Sequence, residues 1–170
     1  MKHIGDKIVM MIISIFGRHI GKVIGIFFIS MLPIIELRGS IPVGYAIGLP
    51  WYTTLFISII GNMLPVWFIL LFIVRIFEFM KKRNILTKLI EKIEKRALNR
   101  TGNIANKEFL GLLIFVAIPL PGTGAWTGAL ISALLKMDIK KSFIAILLGV
   151  LVASFLVTLG VYGLVDKIIF

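Results

Sequence analysis

Residues 33–42 read Pro33-Ile34-Ile35-Glu36-Leu37-Arg38-Gly39-Ser40-Ile41-Pro42, and they stand inside a run, Val23 to Leu49, that carries no other charge. A charge at bilayer depth costs several kcal/mol, on the order of 2.5–3.5 by insertion scales, unless it is paired or faces a wet cavity. Pro33, Gly39 and Pro42 predict a broken helix around the two charges. A second apolar run, Phe109 to Leu135, is broken at the corresponding place by Pro119-Leu120-Pro121-Gly122-Thr123-Gly124. Two broken apolar segments in one short chain read as two copies of one membrane hairpin.

Composition points to the bilayer as solvent. Of 170 residues, 59% are hydrophobic and only 16% charged, with a mean hydropathy of +1.04, which leaves a soluble domain of this size too little polar surface. An uninterrupted span needs roughly 20 apolar residues, and Trp51 to Val74 and Ser142 to Val165 both qualify. The N-terminus has a basic start and an apolar run from Ile8 to Phe16. Gly17-Arg18-His19 follows where a signal peptide would carry small residues for cleavage, so a retained short helix is expected over 1–21.

The net charge is +11, and its position sets the orientation. Between Phe79 and Lys107 stand Lys81, Lys82, Arg83, Lys88, Lys92, Lys95, Arg96, Arg100 and Lys107, against Glu91 and Glu94. The excess of Lys and Arg places this connector in the cytoplasm. A basic helix also suits nucleic acid, but in a membrane chain the topology signal is sufficient and no nucleic-acid partner is expected. Leu86, Leu89, Ile90, Ile93 and Ala97 recur at spacings of three and four, which predicts an amphipathic helix against the membrane surface or the bundle, near anionic headgroups.

Shifted by 88 residues, the chain aligns Pro33 with Pro121, Gly61 with Gly149, Thr54 with Ser142 and the turn at Pro50 with that at Asp138. If Phe109 to Leu135 crossed completely, the connector and the Lys136, Lys140, Lys141 turn would lie on opposite sides, against the charge rule. A re-entrant hairpin keeps both in the cytoplasm, with arms of about 10 to 14 residues that reach only the midplane. The uncharged turn Gly48-Leu49-Pro50-Trp51-Tyr52, with two interfacial aromatics, suits the outer face. The expected fold is therefore an all-α integral membrane protein. It is an inverted repeat of a re-entrant helical hairpin plus a transmembrane helix, in one domain: N-terminal helix 1–21, first repeat 22–78, connector 79–108, second repeat 109–165. Interrupted segments at corresponding places mark the binding site in this plan.

Two half-helix N-termini, around Leu37 to Ser40 and around Thr123 to Trp126, would bring partial positive charge to the membrane centre, which favours an anion. Arg38 adds a fork of donors suited to phosphate or carboxylate. Glu36 argues for a proton or a cationic substrate instead. The alternative for this pair is structural: an ion pair or helix cap that holds the broken backbone. Gly39, Thr123, Gly124, Trp126 and Asn62 complete the candidate substrate site. Thr123 reads as a helix N-cap whose hydroxyl also suits a ligand, and Trp126 as either cavity wall or packing. Asn62, inside a span, requires a hydrogen-bond partner, for which a loosened backbone group at a hairpin tip is expected. Pro33, Pro42, Pro119, Pro121 and Gly122 read as hairpin breaks.

Cysteine is absent, and the two histidines, His3 and His19, stand near the N-terminus. With no acidic pair at membrane depth, no metal site, cofactor or enzyme activity is expected.

At the two broken segments, PIIELRGSIPVGYAIG from Pro33 and IPLPGTGAWTGALISALL from Ile118, the chain resembles the putative small multidrug export protein family, over roughly residues 25–163. The resemblance implies an exporter of small molecules in the plasma membrane of a bacterium or archaeon; with the reading of Glu36 and Arg38 above, the expectation is export of a small amphipathic or anionic compound with proton coupling through Glu36. More distantly the arrangement is similar to DedA-type proteins and lipid scramblases with paired re-entrant hairpins, which implies lipid or polyprenyl-phosphate translocation as the alternative. Relatives of that kind carry charges in both hairpins, whereas residues 109–135 carry none. A holin-like or assembly protein is the third possibility. With so little protein to shield polar tips from lipid, a homodimer is expected.

Overall fold

In the computed structural model, residues 2–82, 105–120 and 122–164 are described, with side chains over 17–72, 107–120 and 122–163. The expected amphipathic connector helix over 86–97 and the break residue Pro121 lie outside them. Every described element is helical: α1 Lys2–Met31, α2 Glu36–Ala46, α3 Trp51–Lys82, α4 Ala105–Ala117, α5 Ala125–Leu134 and α6 Ile139–Thr158, which runs on as a π-helical turn, Leu159–Leu164. Within these, Trp51–Phe72 and Ile139–Gly163 are long and apolar enough to cross a membrane. Their outward side chains are apolar too: Phe56, on α3, is 62% exposed and Phe155, on α6, 60%. A surface of this kind suits lipid.

Two boundaries differ from the sequence expectation. No break separates a 1–21 helix from the first arm, because α1 is continuous to Met31; Gly17 and Gly21 each cost a helix only about 1 kcal/mol, less than a break in lipid would. Pro42 does not end a helix either, for it lies inside α2. It removes one N–H from the ladder, and α2 keeps its course around that single lost bond. The first break is therefore confined to 32–35, immediately after α1, and Pro33 is its proline.

The helices that follow the two breaks end alike. After α2, Gly48 adopts a left-handed conformation (φ 73°), with Gly48 N–H on Tyr45 O and Leu49 N–H on Gly44 O. After α5, Lys136 (φ 53°) sits in the same double-bonded turn, with Lys136 N–H on Ala133 O and Met137 N–H on Ser132 O. Asp138 then caps α6, its carboxylate accepting from Lys141 N–H at 3.1 Å.

Register is fixed by a few contacts. Ser40 donates to Ser58 at 2.6 Å, and a Cβ on Gly44 would strike the Thr54 side chain, so α2 and α3 run antiparallel. Tyr162 Oη lies 3.0 Å from Thr54 Oγ1 and Trp67 meets Phe143 edge to face at 5.3 Å, which makes α3 and α6 antiparallel as well. The apolar core between them includes Leu37, Ile41, Val66, Val116, Ala125, Ile146 and Val150.

Two glycines let helices cross at backbone distance. A Cβ on Gly61 would lie 2.6 Å from Phe27 O on α1, and one on Gly149 would lie 2.8 Å from Leu113 O and 2.7 Å from Val116 Cβ on α4. Backbone cannot yield as a side-chain tip can, so Gly149→Leu is expected to lower stability by about 1–3 kcal/mol or more. Unfolding in mixed detergent micelles, with Gly111→Leu as the open-space control, measures it.

Candidate functional site

The two breaks meet, and the charges of the first close the second. Glu36 begins α2 in a left-handed conformation, φ 49°, which costs a residue other than Gly on the order of 1–3 kcal/mol and persists only where the surroundings hold it. Its carboxylate, 5% exposed, accepts from the N–H of Ala125 at 3.3 Å and of Trp126 at 3.1 Å. These are the first two residues of α5, whose N–H groups have no partner within the helix. An anion at a helix N-terminus is also favoured by the helix dipole.

Arg38 reaches the opposite pole. Its Nη1 donates to Leu120 O, while Nη2 donates to Ile118 O at 3.2 Å and to Thr123 Oγ1 at 3.1 Å. Those carbonyls lie just past the C-terminus of α4, where a cation complements the dipole. Glu36 and Arg38 thus fasten the end of α4 and the start of α5, 80 to 90 residues along the chain. The contact is reciprocal, since Trp126 Nε1 donates to Met31 O at 3.2 Å, the last residue of α1.

Glycine makes the approach possible at Gly124, where a Cβ would fall 2.0 Å from Glu36 Oε2. Its backbone is extended, so space and not conformation demands glycine there. Gly122, at φ 83°, is needed for conformation instead. Gly124→Ala is expected to cost about 1–3 kcal/mol by displacing the carboxylate. In a Glu36→Ala background the same change should be nearly neutral, a coupling that a double-mutant cycle of thermal unfolding reads.

Thr123 is not the N-cap of α5, which is Gly124. Its hydroxyl turns back to Ile118 O at 2.7 Å and Leu120 O at 2.9 Å, because those carbonyls lack helical partners and Arg38 shares them. Thr127 serves the cap instead: Gly124 N–H donates to its Oγ1 at 2.9 Å. Sequence reading overlooked Thr127, although a hydroxyl three places after the cap is capping-box spacing. Asn62 also departs from expectation. It is fully buried, and neither atom of its amide has a hydrogen-bond partner. The tip groups expected to meet it already bond one another.

A cavity of about 440 Å³ opens between the breaks, lined by Pro33, Glu36, Arg38, Gly39, Pro119, Gly122, Thr123, Gly124 and Thr127, with Ile34 and Ile35. Most of the candidate site residues therefore face one space; Trp126 and Asn62 do not line it. Trp126 borders a separate groove of about 620 Å³ between α1 and α3, with Phe28, Leu32, Leu64, Pro65 and Phe68, and Pro33 stands in both. No group of three or more His, Cys, Asp or Glu that would hold a metal occurs among the described residues.

Compared with known proteins, residues 36–156 match the family model described as putative small multi-drug export protein. No curated protein and no solved structure matches. The matched stretch begins at Glu36 and takes in both sides of the cavity.

Proposed function

We propose that this chain, which belongs to the putative small multi-drug export protein family, exports a small amphipathic or anionic compound through the cavity between its two breaks. The observation that carries this is the placement of Glu36 and Arg38, which hold the facing helix ends and also line the cavity. A purely structural cap needs no cavity beside it. The N-terminus of α5 is an anion site that Glu36 fills with its own carboxylate. Protonated, Glu36 is a poorer acceptor and yields the N–H groups of Ala125 and Trp126 to a substrate anion. That exchange couples proton uptake to substrate binding, and Arg38 supplies the fork.

The same proposal includes topology. With 13 and 10 residues, α4 and α5 are about 20 and 15 Å long, short of a hydrocarbon core of about 30 Å. Together they form a re-entrant hairpin whose tip meets the first break, and the like-ended α2 and α5 support an inverted repeat. Lys107 and Lys136 then share the cytoplasmic face with the connector. Single cysteines at Asn106 and Asp138 in this cysteine-free chain are expected to react with an impermeant thiol reagent from the same side. Labelling from opposite faces ends the re-entrant model. Two copies of the chain enclose the tips from lipid better than one, so the working unit is a homodimer.

Lipid translocation is the second reading, and the groove at Pro33 and Trp126 favours it. A cavity that carries Glu36 and Arg38 beside an apolar groove suits a headgroup and its chain. Binding of dodecyl phosphate, a polyprenyl phosphate and ethidium to the purified protein separates these classes. Saturable binding of one, weakened by Arg38→Lys in a folded protein, is the expected result; binding indifferent to Arg38 contradicts the site.

A further inference from the structure

Three fully buried residues of α3, Thr54, Ser58 and Asn62, stand one helical turn apart on one face. The next two positions in the same steps, Val66 and Leu70, are buried and apolar. The buried face of α6 runs the other way: after Ser142 at its start come Ile146 and Val150, and then Ser154 and Thr158. Because α3 and α6 are antiparallel, Ser154 and Thr158 lie with Thr54, Ser58 and Asn62 toward the Leu49–Tyr162 end, and Val66, Leu70, Ile146 and Val150 form an apolar stretch beyond them, with Ser142 past it. From α2, Ser40 joins the polar half through Ser58. The register that sets Gly44 against Thr54 and Ser40 against Ser58, continued one turn, sets Glu36 against Asn62.

Roughly 90% or more of buried polar groups are hydrogen-bonded, yet this column holds Asn62 Oδ1, Asn62 Nδ2 and Thr158 Oγ1 without a protein partner. At its far end Tyr162 lies 3.0 Å from both Leu49 O and Thr54 Oγ1, carried on the π-helical turn Leu159–Leu164, a form that concentrates at functional sites.

We propose that this polar column is a hydrated path by which water and protons pass from the Leu49–Tyr162 end to the depth of Glu36. Only its destination rests on the reading of Glu36 as a proton carrier. Along it each hydroxyl or water oxygen takes a proton from one side and releases its own to the next. The last proton resides on the Glu36 carboxylate, which becomes neutral. The groups set around that carboxylate are Arg38 on α2 and the N–H of Ala125 and Trp126 on α5; Asn62 is the nearest member of the column in the register of α2 on α3. An exporter driven by inward proton flow needs such access from the outer face, where the Gly48–Tyr52 turn is expected.

Silver ion, about the size of water, tests the path, since it captures thiolates and these form where water can take the proton. The variants Ser58→Cys, Asn62→Cys, Val66→Cys and Val150→Cys are reconstituted in vesicles and exposed to Ag⁺ on one face at a time. Free thiol is then counted with a maleimide after unfolding. Ser58→Cys and Asn62→Cys are expected to react at least tenfold faster than the other two, and faster from the Leu49 face. Equal rates at all four overturn the column, and faster reaction from the opposite face overturns its direction. Ser58→Cys changes one atom, so it decides the matter even if Asn62→Cys fails to fold. In Glu36→Gln protein the reactivity of Ser58→Cys is expected to persist, which supports the column whatever becomes of Glu36 as a proton carrier. Its loss there places the water at the tip and overturns a path from the Leu49 end.

Discussion

Glu36→Ala is expected to destabilise the protein by about 3–5 kcal/mol, the loss typical of removing one member of a buried charged set. The substitution leaves the N–H groups of Ala125 and Trp126 without an acceptor, and each such orphan costs about 1–3 kcal/mol. It also leaves Arg38 without the nearby carboxylate. Arg38→Ala should weaken the fold by less, because the Leu120 and Ile118 carbonyls that lose its guanidinium keep the Thr123 hydroxyl and backbone N–H donors. Unfolding in mixed dodecyl maltoside and SDS micelles reads both. A loss under about 1 kcal/mol, the range of an exposed surface pair, would mean that the contacts across the breaks do not hold the tips together.

Local signals in the sequence located the elements, and long-range pairing assigned the tips. Pro33 and the 118–124 segment were legible as breaks because proline and glycine act on their own backbone, and the two long apolar helices were legible from length alone. Pro42 misled because one missing N–H does not stop a helix whose other bonds are intact. Thr123 misled for a different reason: its hydroxyl had two choices, the N-terminus of α5 or the carbonyls after α4, and Arg38, 85 residues earlier, settled it. No periodicity or capping rule reaches over such a separation. The charged pair itself was legible as exceptional, and so was the alternative that it caps helices. The structure shows the cap in full, and the cavity beside it leaves room for a ligand.

Asn62 illustrates the limit from the other direction. A buried amide in a span demands a partner, and the sequence offered the nearest tip as one. In the fold those tip groups are matched to each other, so the amide belongs with the polar half of α3 and α6 instead. That sidedness was present in the sequence as Thr54, Ser58 and Asn62 on one helix and Ser154 and Thr158 on the other. It becomes meaningful only once the two helices are known to be antiparallel.

Glu36 and Arg38 are proposed to act in transport as well as to hold the tips, and removing both charges together separates the two roles. Each glutamine keeps much of its residue's length and some hydrogen-bonding capacity, and the joint change leaves no uncompensated charge, so Glu36→Gln/Arg38→Gln should fold with a smaller loss than either alanine variant. Without the ionisable carboxyl there is no proton to carry, and without the guanidinium no fork for an anion. Transport of a compound found to bind the wild-type protein, measured in proteoliposomes under an imposed pH gradient alongside the thermal stability of the same preparation, is the deciding measurement. A stable double variant with transport reduced at least a hundredfold is expected; full transport by a folded double variant would show that the pair is only a structural cap.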